Sequence, residues 1–404
     1  MYFRLAFRNI LRQRTRSAVT LIAIAFGIVA LVLSGGFIAD IFVQLGEAIV
    51  HSQTGHIQVS RKGYRTDGAR NPIDYMFAPE QRLIDAIGNT PGVAQVGRRV
   101  SFQGLIGNGK RDLPVVGEGI EPTVESEIGS QIRITAGRDL RDDDSFGILL
   151  GDGLASTLGL EIGDSASIMV NAVGGAVNVL DFKVIGNFQS FSKEFDARAV
   201  RIGLGDAQEL LYEQGINTIV VGLADTKLTG TATAAVQALL AGTDLEALDW
   251  QELSDFYGKT VALYERQFFV LQAIVLFMVI LSVANSVNMS LYERLGEFGT
   301  MLAIGNRRRD LFNLMLAESV VLGIVGACLG ALLGISLAFL ISSIGIPMPP
   351  PPSANVGYTA KIIVTPTNVL SAMGIGFLAT VLATVLPAKR VAGTQVVDAL
   401  RQAV

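Results

Sequence analysis

Four stretches of the chain carry no Asp, Glu, Lys or Arg: residues 17–39, 267–292, 319–360 and 362–388. A helix rises 1.5 Å per residue, so about 20 apolar residues cross a hydrocarbon layer of about 30 Å. The third stretch is too long for one crossing. It is broken at Gly345-Ile346-Pro347 and by the prolines at 349–352, which cannot continue a helix. The pattern predicts four transmembrane helices. The first spans 17–47, running outward past Asp40, and the others span 263–292, 311–344 and 366–388, with a loop at 345–365. Residues 48–262 read differently. Alternation at His56-Ile57-Gln58-Val59-Ser60, and segments at 167–170, 182–186 and 218–223, predict strands. Another strand follows Gly92-Val93, and helical patterns fall at 79–87, 152–158, 205–213 and 229–241. The fold class that follows is a membrane protein with four transmembrane α-helices and one large α+β domain between the first and second.

Composition agrees. Half of the 404 residues are hydrophobic, 17% are charged, and the mean hydropathy is +0.46. A soluble domain has about a quarter charged residues. The net charge of −4 matters less than its distribution. Residues 1–16 place Phe3, Leu5, Ala6, Phe7, Ile10 and Leu11 on one face and Arg4, Arg8 and Arg12 on another, with Arg14 and Arg16 beyond and no acid before Asp40. This is a basic amphipathic helix for the membrane interface; the apolar run after it is too long for a cleaved signal peptide. The other basic clusters are Arg294 with Arg307, Arg308 and Arg309, and then Lys389, Arg390 and Arg401, whereas the loop 345–365 holds only Lys361. By the positive-inside rule both termini, the segment 293–310 and a C-terminal amphipathic helix at 389–404 are cytoplasmic. The domain at 48–262 is then extracytoplasmic.

Candidate chemistry is sparse. No G-x-x-x-x-G-K-[ST] loop occurs, so this chain is not expected to cradle ATP, and no nucleophile elbow frames a serine. His51 and His56 lack a cluster at ligand spacing and read as structural or solvated; Asp142-Asp143-Asp144 reads as a solvated loop. Cys328, the one cysteine, lies in an apolar run, so no disulfide forms within the chain. No enzyme activity, metal, bound cofactor or nucleic-acid partner is expected of the chain itself.

The charged reentry at 293–310 is the most informative stretch. Leu295, Phe298, Met301 and Leu302, and then Leu311, Leu314 and Met315, recur at helical spacing on either side of Ala303-Ile304-Gly305-Asn306, where Gly and Asn can take φ > 0. The three arginines alone could be topology charges facing lipid headgroups. Glu293 and Glu297, expected one turn apart on the same short helix, favour a protein contact instead. Farther on, Gly326, Gly330 and Gly334 form a small-residue stripe that lets another helix approach, within one subunit or between two.

Glu297-Phe298-Gly299, then Ala303-Ile304-Gly305 and Arg307-Arg308, resemble the E-I-G…A-x-G-x-x-R-R pattern of FtsX/MacB/LolC-type ABC transporter permeases. Ala136-Gly137-Arg138, Leu154-Ala155 before Leu158-Gly159, and Gly163-Asp164 resemble the same family's outer domain. The resemblance implies that 293–310 is a coupling helix docking on a cytosolic ATPase dimer, through Glu293, Arg294, Glu297, Phe298, Ala303, Ile304, Gly305, Asn306, Arg307, Arg308 and Arg309. It implies ATP and Mg on that separate ATPase, a second permease subunit (homodimer or heterodimer), and a bacterial inner-membrane location. It also implies a MacB-like outer domain with a porter-like lobe and an inserted β-rich lobe at about 123–213. Two roles stay open: transport, as lipoprotein release or MacB-like export with a periplasmic or outer-membrane partner, and FtsX-like control of an extracytoplasmic enzyme such as a cell-wall hydrolase. Residues 171–178 are too short for the carrier-hooking hairpin of LolC-type subunits.

Overall fold

The first uncharged stretch forms α1, one helix at Arg14–Ile49 that widens into a π-helical turn at Val50–Thr54. Gly55, at φ +66°, ends it by donating its N–H to the Val50 carbonyl (3.0 Å). A computed structural model describes residues 8, 12, 14–68, 71–350, 355 and 357–393. The interfacial helix expected over 1–16 lies mostly outside the described residues, as does the C-terminal helix after 393.

Beyond α1 the chain builds an α/β unit. Its elements are β1 (Ile57–Arg61), α2 (Gln81–Gly88), β2 (Val93–Gly107), β3 (Asp112–Ile120), α3 (Pro122–Ile128), β4 (Arg133–Gly137), β5 (Gly147–Gly151), α4 (Asp152–Leu158), β6 (Ser165–Asn171), β7 (Val177–Gln189), β8 (Ala199–Gly203), α5 (Leu204–Leu211), β9 (Thr218–Leu223), α6 (Thr229–Leu239) and β10 (Leu245–Asp249). The membrane unit holds α7 (Asp255–Glu293), α8 (Leu295–Ala303), α9 (Arg308–Ile344) and α10 (Pro366–Ala392); β11 (Ile346–Met348) and β12 (Tyr358–Ala360) lie in the loop before α10. The two units are separately compact, and α1 and α7 each belong in part to both.

The ten strands of the α/β unit form one sheet in the order β10-β1-β9-β2-β3-β8-β5-β7-β4. Strand β6 pairs with both β2 and β7, which closes β2, β3, β8, β5, β7 and β6 into a ring. Closure removes strand edges. Alternation fills the ring: in β6, Ala166, Ile168 and Val170 are buried while Ser165, Met169 and Asn171 face out. With Phe102, Ile106, Phe182, Val184 and Ile202 they belong to the main core. The expected lobe at 123–213 is therefore not set off by itself. It supplies β5 to β8, but the ring closes only with β2 and β3, which precede it. Residues 171–178 make a tight hairpin turn, in which Ala172 donates to the Ala176 carbonyl (2.7 Å) and Gly174 and Gly175 both sit at φ +80°. Asp144 of the acidic run is gripped by Arg138 through two bonds of 2.6 and 2.7 Å.

His56 is an interior hydrogen-bonding group, 2% exposed. Its Nδ1 accepts from the Leu223 N–H and its Nε2 lies on Thr226 Oγ1, each at 3.0 Å, which fixes the neutral tautomer. Desolvation, and then the neighbouring His51, lower its pKa from 6.5 to about 4. Because the folded value lies below the unfolded one, the unfolded chain binds the proton first as pH falls. The stability that neutral His56 contributes is complete above pH 6.5 and is lost between 6.5 and about 4. We expect the intact chain to lose about 2.5 kcal/mol more than its His56→Gln variant between pH 7 and 4.5. Urea titrations read on the single tryptophan, Trp250, measure this, and equal losses would remove His56 as the cause.

The membrane unit follows the apolar pattern with longer helices than expected. Helix α7 begins at Asp255 rather than near 263, and α9 at Arg308 rather than 311, because charged turns extend each helix beyond its apolar centre. Its core joins Ile24, Ile28, Leu31 and Val32 of α1 to Val279 and Val283 of α7, Ala327 of α9, and Ala372, Ala379 and Ala383 of α10. Hydroxyl pairs, each at 2.6 Å, tie α1 to α7 through Thr20 and Ser286 and α9 to α10 through Ser319 and Thr384.

Candidate functional site

The segment between α7 and α9 folds as a helix, a turn and a helix start. Helix α7 stops at Glu293, and Arg294 leaves helical geometry at φ −101°, ψ 7°. Glu293 thus ends one helix and Glu297 lies in the first turn of the next, contrary to the single short helix expected for both. Helix α8 ends in a Schellman motif. Asn306 donates to the Met301 carbonyl and Gly305 to that of Leu302, both at 3.1 Å. Gly305 takes the positive φ, +106°. Among the described non-glycine residues only Phe146 and Tyr212 have positive φ, so Asn306 does not share the left-handed turn. Asp310 then accepts from the Arg307 N–H (3.2 Å), holding the start of α9.

One face of this segment is interior. Leu291, Leu295 and Phe298 pack with Leu311 and Met315 of α9 and with Ala388 and Val391 of α10. Arg294 lies there too, 7% exposed. Its Nη1 donates to both oxygens of Glu318 (2.9 and 3.2 Å), its Nε to Glu297 (3.2 Å), and its guanidinium lies 5.0 Å over the Phe298 ring. Arg294 and Phe298 were expected to touch a partner. Their sequence positions suit that role, but burial among these partners removes them from the surface.

The other face is open. Glu293, Glu297, Ala303, Ile304, Gly305, Asn306, Arg307, Arg308 and Arg309 are exposed, Ile304 by 80%. Glu297 also lies 3.6 Å from Arg12, a solvated pair of little energetic weight. The segment therefore presents an apolar knob beside a basic run, on a backbone fixed from behind.

The glycine stripe faces α1 of the same chain. A Cβ at Gly326 would meet Ile24 at 2.9 Å, one at Gly330 would meet Ile28 at 2.8 Å, and one at Gly334 would meet Val32 at 3.1 Å. From α10, Gly376 makes room for Ile28 in the same way, at 2.6 Å. Spacing alone announced the stripe; its partner was not legible, because α1 lies about 300 residues earlier.

A feature that sequence reasoning missed is a buried four-charge cluster in the α/β unit. Arg99 meets Glu125 at 2.6 Å and Glu118 at 3.3 Å, and Arg201 meets Glu118 at 2.9 Å and Glu125 at 3.4 Å. Arg99 also donates to the Gln53 carbonyl in the last turn after α1 (2.7 Å). Burial opposes the Glu118 carboxylate, but the two guanidiniums outweigh it and hold its pKa below the usual range. The four residues come from β2, β3, α3 and β8, and no sequence spacing connects them.

Four helices of span length, with an α/β domain between the first two, define a polytopic membrane protein with one large non-spanning domain. The model of the MacB-like periplasmic core domain matches residues 17–239, and that of the FtsX-like permease C-terminal region matches 269–396. The first match alone covers more than half of the sequence, and the chain belongs to the FtsX/MacB/LolC family of ABC transporter permeases. It is 24% identical to an uncharacterized ABC transporter permease of Methanocaldococcus jannaschii, over 84% of each chain. It is 22% identical to the lipoprotein-releasing system transmembrane protein LolC of Neisseria meningitidis, over 95% of this chain and 93% of LolC. The macrolide export ATP-binding/permease protein MacB of Campylobacter jejuni is 24% identical over 86% of this chain, which spans only 55% of MacB. The solved periplasmic region of MacB from Actinobacillus actinomycetemcomitans matches 50% of this chain with 12% identity and a TM-score of 0.37.

Proposed function

We propose that this chain is the membrane subunit of an ABC transporter whose ATPase is a separate protein. The exposed face of 293–310 is the socket for that ATPase, which supplies ATP and Mg. Two permeases act on two ATPases in a bacterial inner membrane, with both termini cytoplasmic and the α/β domain outside. Helices α1 and α7, each shared between the two units, are the levers that carry ATP-driven motion outward. The work done there is release or export of a cargo, of the kind named for LolC and MacB. The tight hairpin at 171–178 argues against a carrier-hooking arm.

The observation that carries this reading is Ile304. An isoleucine 80% exposed at a charged turn is poorly placed in water and well placed as an anchor in a partner's pocket. Ile304→Asp with Arg308→Glu alters only exposed side chains. Affinity-purified wild-type chain should carry an ABC ATPase identifiable by mass spectrometry, and the double variant should retain at least tenfold less of it. A tenfold loss needs only about 1.4 kcal/mol. Equal retention would move the socket elsewhere, and a wild-type chain that brings down no ATPase would overturn the reading.

A further inference from the structure

Arg294 is buried at the junction of three elements. It occupies the break between α7 and α8, binds Glu297 and stacks on Phe298 of α8, and holds both oxygens of Glu318 on α9. A guanidinium withdrawn from water costs several kcal/mol unless its donors are met, and removing one partner of such a pair strands a charge. Apolar contacts such as Leu295 with Leu311 and Met315 hold α8 close to α9 but leave it free to roll. Two nitrogens of the planar guanidinium are held, Nη1 by Glu318 on α9 and Nε by Glu297 on α8, so the plane ties the two helices in angle as well as in distance.

We propose that Arg294 is a positioning residue, and that its pair with Glu318 sets the angle at which α8 and the exposed turn 303–309 are presented from α9. Movement of the turn then reaches α9 as rotation of a rigid piece. The consequence for coupling rests on the proposed function; the positioning itself does not, since it is a property of the chain without any ATPase.

The test separates the two. Spin labels at Thr300→Cys and Leu333→Cys, both exposed positions, are placed in the full chain after Cys328→Ala, and their separation is measured by pulsed electron resonance. The unaltered pair should give one narrow distance distribution. Arg294→Gln and Glu318→Gln should each broaden or shift it, and the double variant should be no worse than either, because both remove the same contact. Arg294→Met with Glu318→Met guards against simple misfolding. Two apolar residues can replace a buried pair without loss of stability, so this variant should keep its melting temperature and still show the broad distribution. A narrow distribution in both single variants, or in the stable Met pair, overturns positioning. In the second arm, Arg294→Gln should retain the ATPase that copurifies with the wild type, because the socket surface is intact, while permease-dependent ATP hydrolysis falls at least tenfold. Undiminished hydrolysis with the ATPase bound overturns the coupling role of Arg294. If the wild type copurifies no ATPase, the socket reading fails and the distance measurement still decides the positioning claim.

Discussion

Arg201→Met should destabilise the α/β domain by about 3–5 kcal/mol, the cost of breaking a buried ion pair from one side. Arg201 is 3% exposed and Glu125 is 7% exposed, so the carboxylates left behind cannot recover their hydration. Glu118 and Glu125 would then share Arg99 alone, at 3.3 and 2.6 Å. The side chain of Arg201 also stacks 5.5 Å from the Phe188 ring, a contact Met can partly keep, so the loss is mainly electrostatic. Trp250 reports on this domain alone: it is the single tryptophan, 5% exposed, with Tyr257 at 4.6 Å. Urea titration of its fluorescence in the full chain should show the shift. Arg201→Met with Glu118→Leu should cost less than the single change, because it removes a pair rather than stranding a charge. A single variant as stable as the wild type would mean that the cluster is solvated.

The same cluster receives the end of α1. Arg99 bonds the Gln53 carbonyl, the Gln131 N–H donates to the His51 carbonyl (3.1 Å), and Gly46 lies so close to Trp250 that a Cβ there would come within 2.6 Å of the ring. These contacts fix the end of α1 to the α/β domain. None of this was legible in the sequence. Residues 99, 118 and 201 meet because β2, β3 and β8 are neighbours in the sheet, with 53 and 125 brought up by the turn after α1 and by α3, and the β3–β8 pairing joins segments 83 residues apart. The spans were legible because a membrane demands long uncharged runs, a constraint that acts locally. Strand Thr218–Leu223 and helix Asp152–Leu158 were legible for a similar reason: both read from their own pattern and flanking turns. The segment 293–310 was half legible. Gly305 and the basic run showed a turn, but Arg294 read as surface because sequence cannot tell a solvated arginine from one enclosed by carboxylates on two helices.

Gly330→Leu should break the packing of α1 on α9. A Cβ at this position lies 2.8 Å from the Ile28 Cβ, 3.0 Å from the Ala25 Cα and 3.1 Å from the Ala25 carbonyl oxygen. Two of those three atoms are backbone, which no rotamer change can move aside, and a leucine adds three more carbons in the same direction. Overpacking a tight interior costs about 1–3 kcal/mol, and obstruction by backbone puts this site at the upper end. Gly330→Ala, which adds only the Cβ, should give a smaller loss of the same sign. Each helix remains apolar and long enough to insert, so the chain should reach the membrane in normal amount and fail afterwards, as packing rather than insertion. Heating the detergent-solubilised protein and following the soluble fraction by size exclusion should show a lower melting temperature for Leu than for Ala, and for Ala than for Gly. An interface between subunits would behave in the opposite way: Gly330→Leu would shift the monomer–dimer balance at unchanged monomer stability. That outcome would mean the stripe closes on a second copy, and the contacts with Ile24, Ile28 and Val32 would not be what holds α9 in place.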